Sequence, residues 1–297
     1  MSRNGPIRVG TRGSKLALAQ TEWVISKLRA GAPGTDLEAK VVQTTGDRRA
    51  EVPLLGDGVF VREIQHALLE GEVDMAVHSL KDMPTEPVAG LVIAAIPERE
   101  DARDALVGAS LADLPSGARV GTGSPRRSAQ LKRLRPDIEV VPARGNVPTR
   151  IEKVQRGEYD AVMLALAGLS RLGLGADQVF ELDEVLPAPG QGALAVETRD
   201  GDELIGWVRA LHQKDVRACV VAERHLLRTL GGGCLLPVAA YGSIGNGQIT
   251  LDAAVTSQDG KIQLRAHGES AVDSPLGAAK QASRQLLNEG ARDLLST

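Results

Sequence analysis

Aromatic side chains are nearly missing from this chain: its 297 residues include two Trp, two Tyr and two Phe. Binding single-stranded nucleic acid needs several stacking rings, so that class is excluded. A dominant charge is missing as well. Lys and Arg number 35 against 38 Asp and Glu, for a net charge of −3, which is not the footprint of a nucleic-acid protein. There are two cysteines, Cys219 and Cys234, too few for a disulfide framework. His66, His78, His212, His225 and His267 form no His-x-x-x-His set, and no Cys-x-x-Cys occurs, so no metal site is expected. No run of about 18 apolar residues occurs, and no apolar stretch opens the chain. These absences predict a cytoplasmic protein with no membrane or nucleic-acid partner. Nothing demands an oligomer, so monomer is the default.

What is present is a Leu, Val, Ile and Ala core in a chain too long for a single one. Two short repeats occur in the same order. Arg8-Val9-Gly10-Thr11 returns as Arg119-Val120-Gly121-Thr122, each ending a predicted strand before a Gly/Ser loop and a helix. Gly71-Glu72-Val73-Asp74 then returns as Gly157-Glu158-Tyr159-Asp160, each after a helix and before a short apolar strand. The repeats predict two similar α/β domains around mostly parallel sheets. The segments 98–104 (EREDARD) and 186–192 (LPAPGQG) read as paired crossings, hence a hinge with a cleft. After about Asp215 come a helix ending at Gly231-Gly232-Gly233, three β-rich runs and a final helix over Pro275–Leu295, a small α+β domain. The expected division is 1–98 with 193–213, then 99–192, then 214–297.

The stretch GTGSPRRSAQL is the most informative. Ser124 suits an N-cap and Pro125 the first helical position. Arg126 and Arg127 then fall at the positive end of the helix dipole, where cations are disfavoured by roughly 0.3–1 kcal/mol each. An anion on that helix start removes the conflict. Other candidates also fall at strand ends, where open α/β sheets bind ligands: Arg12 and Ser14; Ser79, Lys81 and Asp82; Arg144 and Arg150; and Arg171. Lys132, Arg133 and Arg135 near the same helix's other end complement the dipole instead. Asp82 among arginines reads equally as a salt-bridge partner or as a stabiliser of developing positive charge. Cys219 reads as a core thiol. Cys234 differs: it follows three glycines in an exposed loop, and reads either as a plain loop thiol or as one that carries a covalent group.

In order along nearly the whole chain, IRVGTRGSKLALAQ, FVREIQHALLEGEVDMAVHSLKDMP, ARVGTGSPRRSAQL, VVPARGNVPTR, GEYDAVMLALAGLSRLGL, LPAPGQGALAVE and ERHLLRTLGGGC resemble the porphobilinogen deaminases, or hydroxymethylbilane synthases. The resemblance implies a transferase of tetrapyrrole (porphyrin and heme) biosynthesis. It joins four porphobilinogen molecules head to tail on a dipyrromethane primer, releases ammonia and, after hydrolysis, hydroxymethylbilane. It implies two domains like type II periplasmic binding proteins with a hinged cleft, plus a small α+β C-terminal domain. The cofactor would be thioether-linked to Cys234, and Asp82 would be catalytic, hydrogen-bonding pyrrole N–H groups. Lys81, Thr122, Ser124, Arg126, Arg127, Arg150 and Ser79 would hold cofactor carboxylates. Arg12, Ser14, Gln20, Arg144, Arg171 and Phe60 would face substrate or the growing chain. The chain departs from the family pattern at Lys15, Gly123, Pro125 and Pro148, and at Asp57 in the expected lid 46–58. Two rivals from other classes stand beside this reading. A non-catalytic carboxylate binder would need neither Asp82 nor Cys234. A phosphate-handling enzyme would want a Gly-Lys-Ser/Thr loop that the chain lacks.

Overall fold

The computed structural model describes residues 5–42, 59–174, 179–233 and 236–296. The chain divides into two compact units, Met1–Arg99 with Ala193–Arg217, and Glu100–Gly192 with Ala218–Thr297. The described elements run β1 (Ile7–Thr11), α1 (Lys15–Gly31), β2 (Leu37–Val41), α2 (Val59–Leu69), β3 (Met75–Ser79) and β4 (Leu91–Ala95). Next come β5 (Asp104–Val107), β6 (Arg119–Gly121), α3 (Pro125–Leu134), β7 (Glu139–Val141), α4 (Val147–Gln155), β8 (Ala161–Ala165), α5 (Leu166–Arg171) and β9 (Val179–Leu182). The chain continues with β10 (Leu194–Arg199), α6 (Leu204–Val208) and α7 (Lys214–Thr229). It closes with β11 (Val238–Gly245), β12 (Gln248–Thr256), β13 (Gln263–Ala271), α8 (Leu276–Asn288) and α9 (Ala291–Ser296). No helix among the described residues is long and apolar enough to cross a membrane.

The two α/β sheets have the same plan. One has the order β2-β1-β3-β10-β4, the other β7-β6-β8-β5-β9. In the first, β10 runs antiparallel to β3 and β4 while the other neighbours are parallel. In the second, β5 is the antiparallel strand, between β8 and β9. Each antiparallel strand is the one that a crossing segment feeds: 98–104 runs into β5 and 186–192 into β10. This is the expected plan of two similar α/β sheets, with a small C-terminal α+β part.

The sequence repeats have a physical cause. Asp74 precedes β3, and its carboxylate accepts the Arg8 backbone N–H at 2.8 Å, while its own N–H donates to the Arg8 carbonyl. Asp160 does the same for Arg119 before β8, at 2.6 Å. Each aspartate thus sets the register of a parallel pair, β1 with β3 or β6 with β8, at the strands' N-terminal ends.

The second unit also holds the antiparallel sheet β11-β12-β13, whose apolar face packs on α7 and α8 around Leu226, Val238, Ile249, Leu251 and Ala279. Cys219 on α7 belongs to that core, as expected. The single final helix expected over Pro275–Leu295 is instead two, α8 and α9, broken at Gly290, whose φ of +93° ends a right-handed helix. Strands β5 and β9 did not stand out in the sequence. Both are four residues long, and β5 opens inside a run of charges.

Candidate functional site

Each unit gathers its own set of the candidate side chains. In the first, the chain leaves β1 through Thr11 and Arg12 into α1. Ser14 caps that helix, its Oγ accepting the Ala17 N–H at 3.2 Å. On the neighbouring strand, Ser79 ends β3 and donates its hydroxyl to Gln20 Oε1 at 3.0 Å, and Gln20 is buried on α1. A short 3₁₀ turn, Leu80–Asp82, follows. Leu80 is fully buried and its N–H donates to the Ala193 carbonyl at 3.0 Å, so the turn is fixed at its apolar residue while Asp82 stays exposed beside it. Arg12, Ser14, Gln20, Ser79 and Asp82 line one cavity of about 60 Å³ together with His78. Lys81 lies in the same turn, half-buried, but not in the cavity lining.

His78 was not a sequence candidate, and its surroundings show why it could not be one. Its Nε2 lies 3.1 Å from Glu197 Oε2, and Gln65 donates to Glu197 Oε1 at 3.0 Å. All three side chains are buried and come from β3, β10 and α2. Ala195 is the register partner of His78, so Glu197 sits diagonally across the sheet on the same face. That pairing spans 119 residues of sequence and leaves no local signature.

In the second unit, β6 ends at Gly121 and the chain enters α3 as anticipated. Ser124 is the N-cap, its Oγ accepting the Arg127 N–H at 3.5 Å, with Pro125 in the first turn. Thr122 Oγ1 accepts the Ser124 N–H at 3.2 Å. Arg126 and Arg127 are both buried, 3% and 7% exposed, and both meet one residue that sequence reasoning missed, Asp104. Arg127 reaches Asp104 Oδ1 through Nε at 2.9 Å and Nη2 at 2.7 Å, and Arg126 Nη1 lies 2.7 Å from Oδ2. Burial alone would raise the Asp104 carboxyl, but the two guanidiniums outweigh it and hold it far below the usual carboxylate range. So the dipole conflict read at Arg126 and Arg127 is real, and part of its answer is an anion inside the chain.

One carboxylate does not balance this neighbourhood. Arg150 on α4 donates from Nε to the Gly145 carbonyl at 2.8 Å; burial and then the like charge of Arg127 lower its pKa. Arg171 closes α5 and donates to the Gly192 carbonyl at 2.8 Å; burial lowers its pKa, against the opposing pull of Glu100. Arg144 is exposed between β7 and α4. Arg126 Nε is buried and has no hydrogen-bond partner among the described residues. A buried guanidinium N–H without an acceptor is costly. This set therefore carries more positive charge than Asp104 balances, and Asp104, whose Oδ2 forms no hydrogen bond, leaves the Arg126 Nε without an acceptor.

Two expected site residues escape this geometry. Cys234 and the lid 46–58, with Asp57, lie outside the described residues. Phe60 falls in α2, but its side chain lies outside them too.

The comparisons with known proteins bear on the whole chain. The family described as "Porphobilinogen deaminase, dipyromethane cofactor binding domain" matches residues 7–206, and "Porphobilinogen deaminase, C-terminal domain" matches residues 217–288. A porphobilinogen deaminase of Acidothermus cellulolyticus is 48% identical over 97% of this chain and 91% of its own length. One from Deinococcus deserti is 46% identical over 97% of each chain, and so is one from Thermus thermophilus. Among solved structures, an ancestral cationic amino acid solute binding protein aligns with 70% of this chain and 88% of its own at a TM-score of 0.44 and 19% identity.

Proposed function

The chain belongs to the porphobilinogen deaminase family, and on that premise we propose how its two sets of side chains divide the synthesis of hydroxymethylbilane from porphobilinogen. The observation that carries the reading is the uncompensated cationic charge of the second unit, with Arg126 Nε buried and without an acceptor. The family's dipyromethane cofactor carries acetate and propionate side chains, and those carboxylates fit what this set lacks. When bound, the cofactor supplies the pyrrole onto which porphobilinogen units are added.

The chain's own residues do the rest. Arg126, Arg127, Arg150 and Lys81 hold cofactor carboxylates. Ser79, Thr122 and Ser124 assist them with hydroxyl donors. The oxygens of Thr122 and Ser124 each accept one backbone N–H, and each hydroxyl keeps an O–H to donate, which suits a carboxylate ligand. Cys234, in the proposed third domain 214–297, is the thioether anchor. Arg12, Ser14, Gln20, Arg144, Arg171 and Phe60 receive the incoming substrate and the growing polyanion.

Asp82 is the catalytic group. Its carboxylate accepts hydrogen bonds from pyrrole N–H groups and stabilises the positive charge that builds on nitrogen as ammonia departs and the new C–C bond forms. It then helps carry away the proton lost from the pyrrole α-carbon. Two variants test this reading. Asp82→Asn is expected to keep the covalent dipyrrole by intact mass yet lose about 10²–10⁴-fold in turnover. Cys234→Ser is expected to lack that added mass and the colour with acidic Ehrlich reagent. Near-normal turnover of D82N, or a fully active C234S, refutes the corresponding role.

A further inference from the structure

The two adjacent arginines are not equivalent. Arg127 commits four of its five N–H donors to the protein: Nε and Nη2 to Asp104 Oδ1, Nη1 to the Met163 carbonyl at 3.2 Å, and Nη2 also to Gln191 Oε1 at 3.4 Å. Arg126 donates from Nη1 to the Leu186 carbonyl at 2.7 Å, and the same Nη1 forms an ion pair with Asp104 Oδ2 at 2.7 Å; that oxygen and the Arg126 Nε are both buried and without a hydrogen-bond partner among the described residues. Asp104 itself is fully buried at the start of β5. Gln191 donates to Asp104 Oδ1 at 2.9 Å and to the Ala102 carbonyl at 2.7 Å. The same carboxylate therefore ties together the two segments through which the chain enters and leaves this unit.

We propose that Asp104 is a built-in stand-in for the cofactor's anion: it anchors Arg127 and keeps the arginine pair tolerable in the unloaded protein, leaving Arg126 with the larger share of donors for the cofactor carboxylates that both arginines hold. Two buried guanidiniums with no anion would be prohibitively costly, and with one anion they can be kept. Attaching the cofactor then supplies the missing negative charge at Arg126. Asp104 and the cofactor thus share one task, and two contributors to one task are energetically coupled. Asp104 is a positioning residue in this scheme, since it acts through the arginines. The inference rests on the tethered-cofactor reading above.

The test is a thermal-melting cycle on the full chain: Asp104→Asn, which keeps the side chain's shape and removes its charge, made in the cofactor-loaded wild type and in C234S. The expected result is a fall in Tm at least about twice as large in C234S as in the loaded protein. A purely structural Asp104 gives equal falls, and equal falls, or a larger one in the loaded form, overturn the proposal. D104N that folds when loaded but not in the C234S background is the extreme of the expected result. If D104N folds in neither, the double variant R126Q/D104N in C234S removes one cation with the anion and is expected to regain folding; failure to do so overturns the charge-sharing argument. Intact mass, read first, separates this from the tether. A wild type without the dipyrrole excess refutes the tether. The cycle is then run with and without free glutarate, where the larger fall is expected without it and equal falls overturn the proposal.

Discussion

A carboxylate with no exposed surface survives only where donors replace its lost water, and Glu223 on α7 is such a group. Its Oε2 accepts the Gly190 N–H at 2.7 Å and its Oε1 the Gly242 N–H at 2.8 Å. One side chain thereby fastens α7 both to the segment 186–192 that carries Gln191 and to strand β11. Close packing leaves no room for another solution, because a Cβ on Gly242 would meet Cys219 Cα at 3.0 Å. In Glu223→Gln an amide NH₂ faces one of two backbone donors, so a donor meets a donor and one acceptor is lost. The expected cost is about 1–3 kcal/mol. It is read as a lower urea midpoint at unchanged m-value, and a midpoint within error of wild type would show that these two bonds do not matter. The effect on turnover should exceed that of an equally destabilising surface change, because Gly190 adjoins Gln191, which contacts the Asp104 cluster.

At the scale of one element, α3 is held at both ends by different parts of the second unit. Its N-terminal arginines reach β5 and the segment 186–192, and Gln130 exchanges two hydrogen bonds with Leu186 at 3.0 Å each. Near its C-terminal end, Lys132 donates to the Gln258 carbonyl at 3.1 Å and Arg133 to the Lys261 carbonyl at 3.2 Å. The turn they grip lies between β12 and β13, and Gly260 sits there at φ +78°. A Cβ on Gly260 would lie 2.7 Å from the Arg133 backbone N and 2.9 Å from the Ala129 carbonyl. Gly260→Ala therefore has to push the hairpin off the helix as well as hold a left-handed conformation. The expected loss is about 1–3 kcal/mol, against near zero for Ala at Gly247, where the φ is also positive but nothing lies within 4 Å, apart from the conformational strain common to both. Equal losses at the two sites would show that the contact with α3 carries nothing. Much of this helix was legible in the sequence: its cap, its proline, its span and the electrostatic conflict at its start are all local. Its partners were not. Asp104 lies inside EREDARD, which reads as a crossing, and no periodicity distinguishes its one fully buried aspartate from the exposed and half-buried charges around it. Lys132 and Arg133 read as dipole complements because the hairpin they hold is more than a hundred residues away.

For the molecule as a whole, stability against pH sums every group whose folded and unfolded pKa differ. His212 accepts the Ile96 N–H on Nδ1 at 3.1 Å, so its neutral form is the one the fold uses. Burial first, then Arg217, Arg209 and Lys214, hold its pKa below the ordinary value. Burial first, then Arg228 and Lys280, do the same for His225. As pH falls below about 6.5, the unfolded chain takes up protons that these folded imidazoles refuse, and stability drops. His267 acts in the opposite sense. Hydrogen bonds to Asp252 and then Glu269 raise its pKa, so its contribution is present below about 6.5 and is lost as pH rises through the raised value. It is half exposed, and solvent screening leaves it small. Asp104, with its strongly depressed folded value, contributes fully above about pH 4 and loses that contribution only toward extreme acid. The fold should therefore weaken in two stages on acidification, first through the half-buried His212 and His225 and then through the carboxylates. His212→Asn keeps a side-chain acceptor near the Ile96 N–H but cannot titrate, so its Tm should fall less steeply between about pH 7 and 5 than that of the parent. A slope unchanged from the parent would remove His212 from the acid response and leave His225 to carry the first stage.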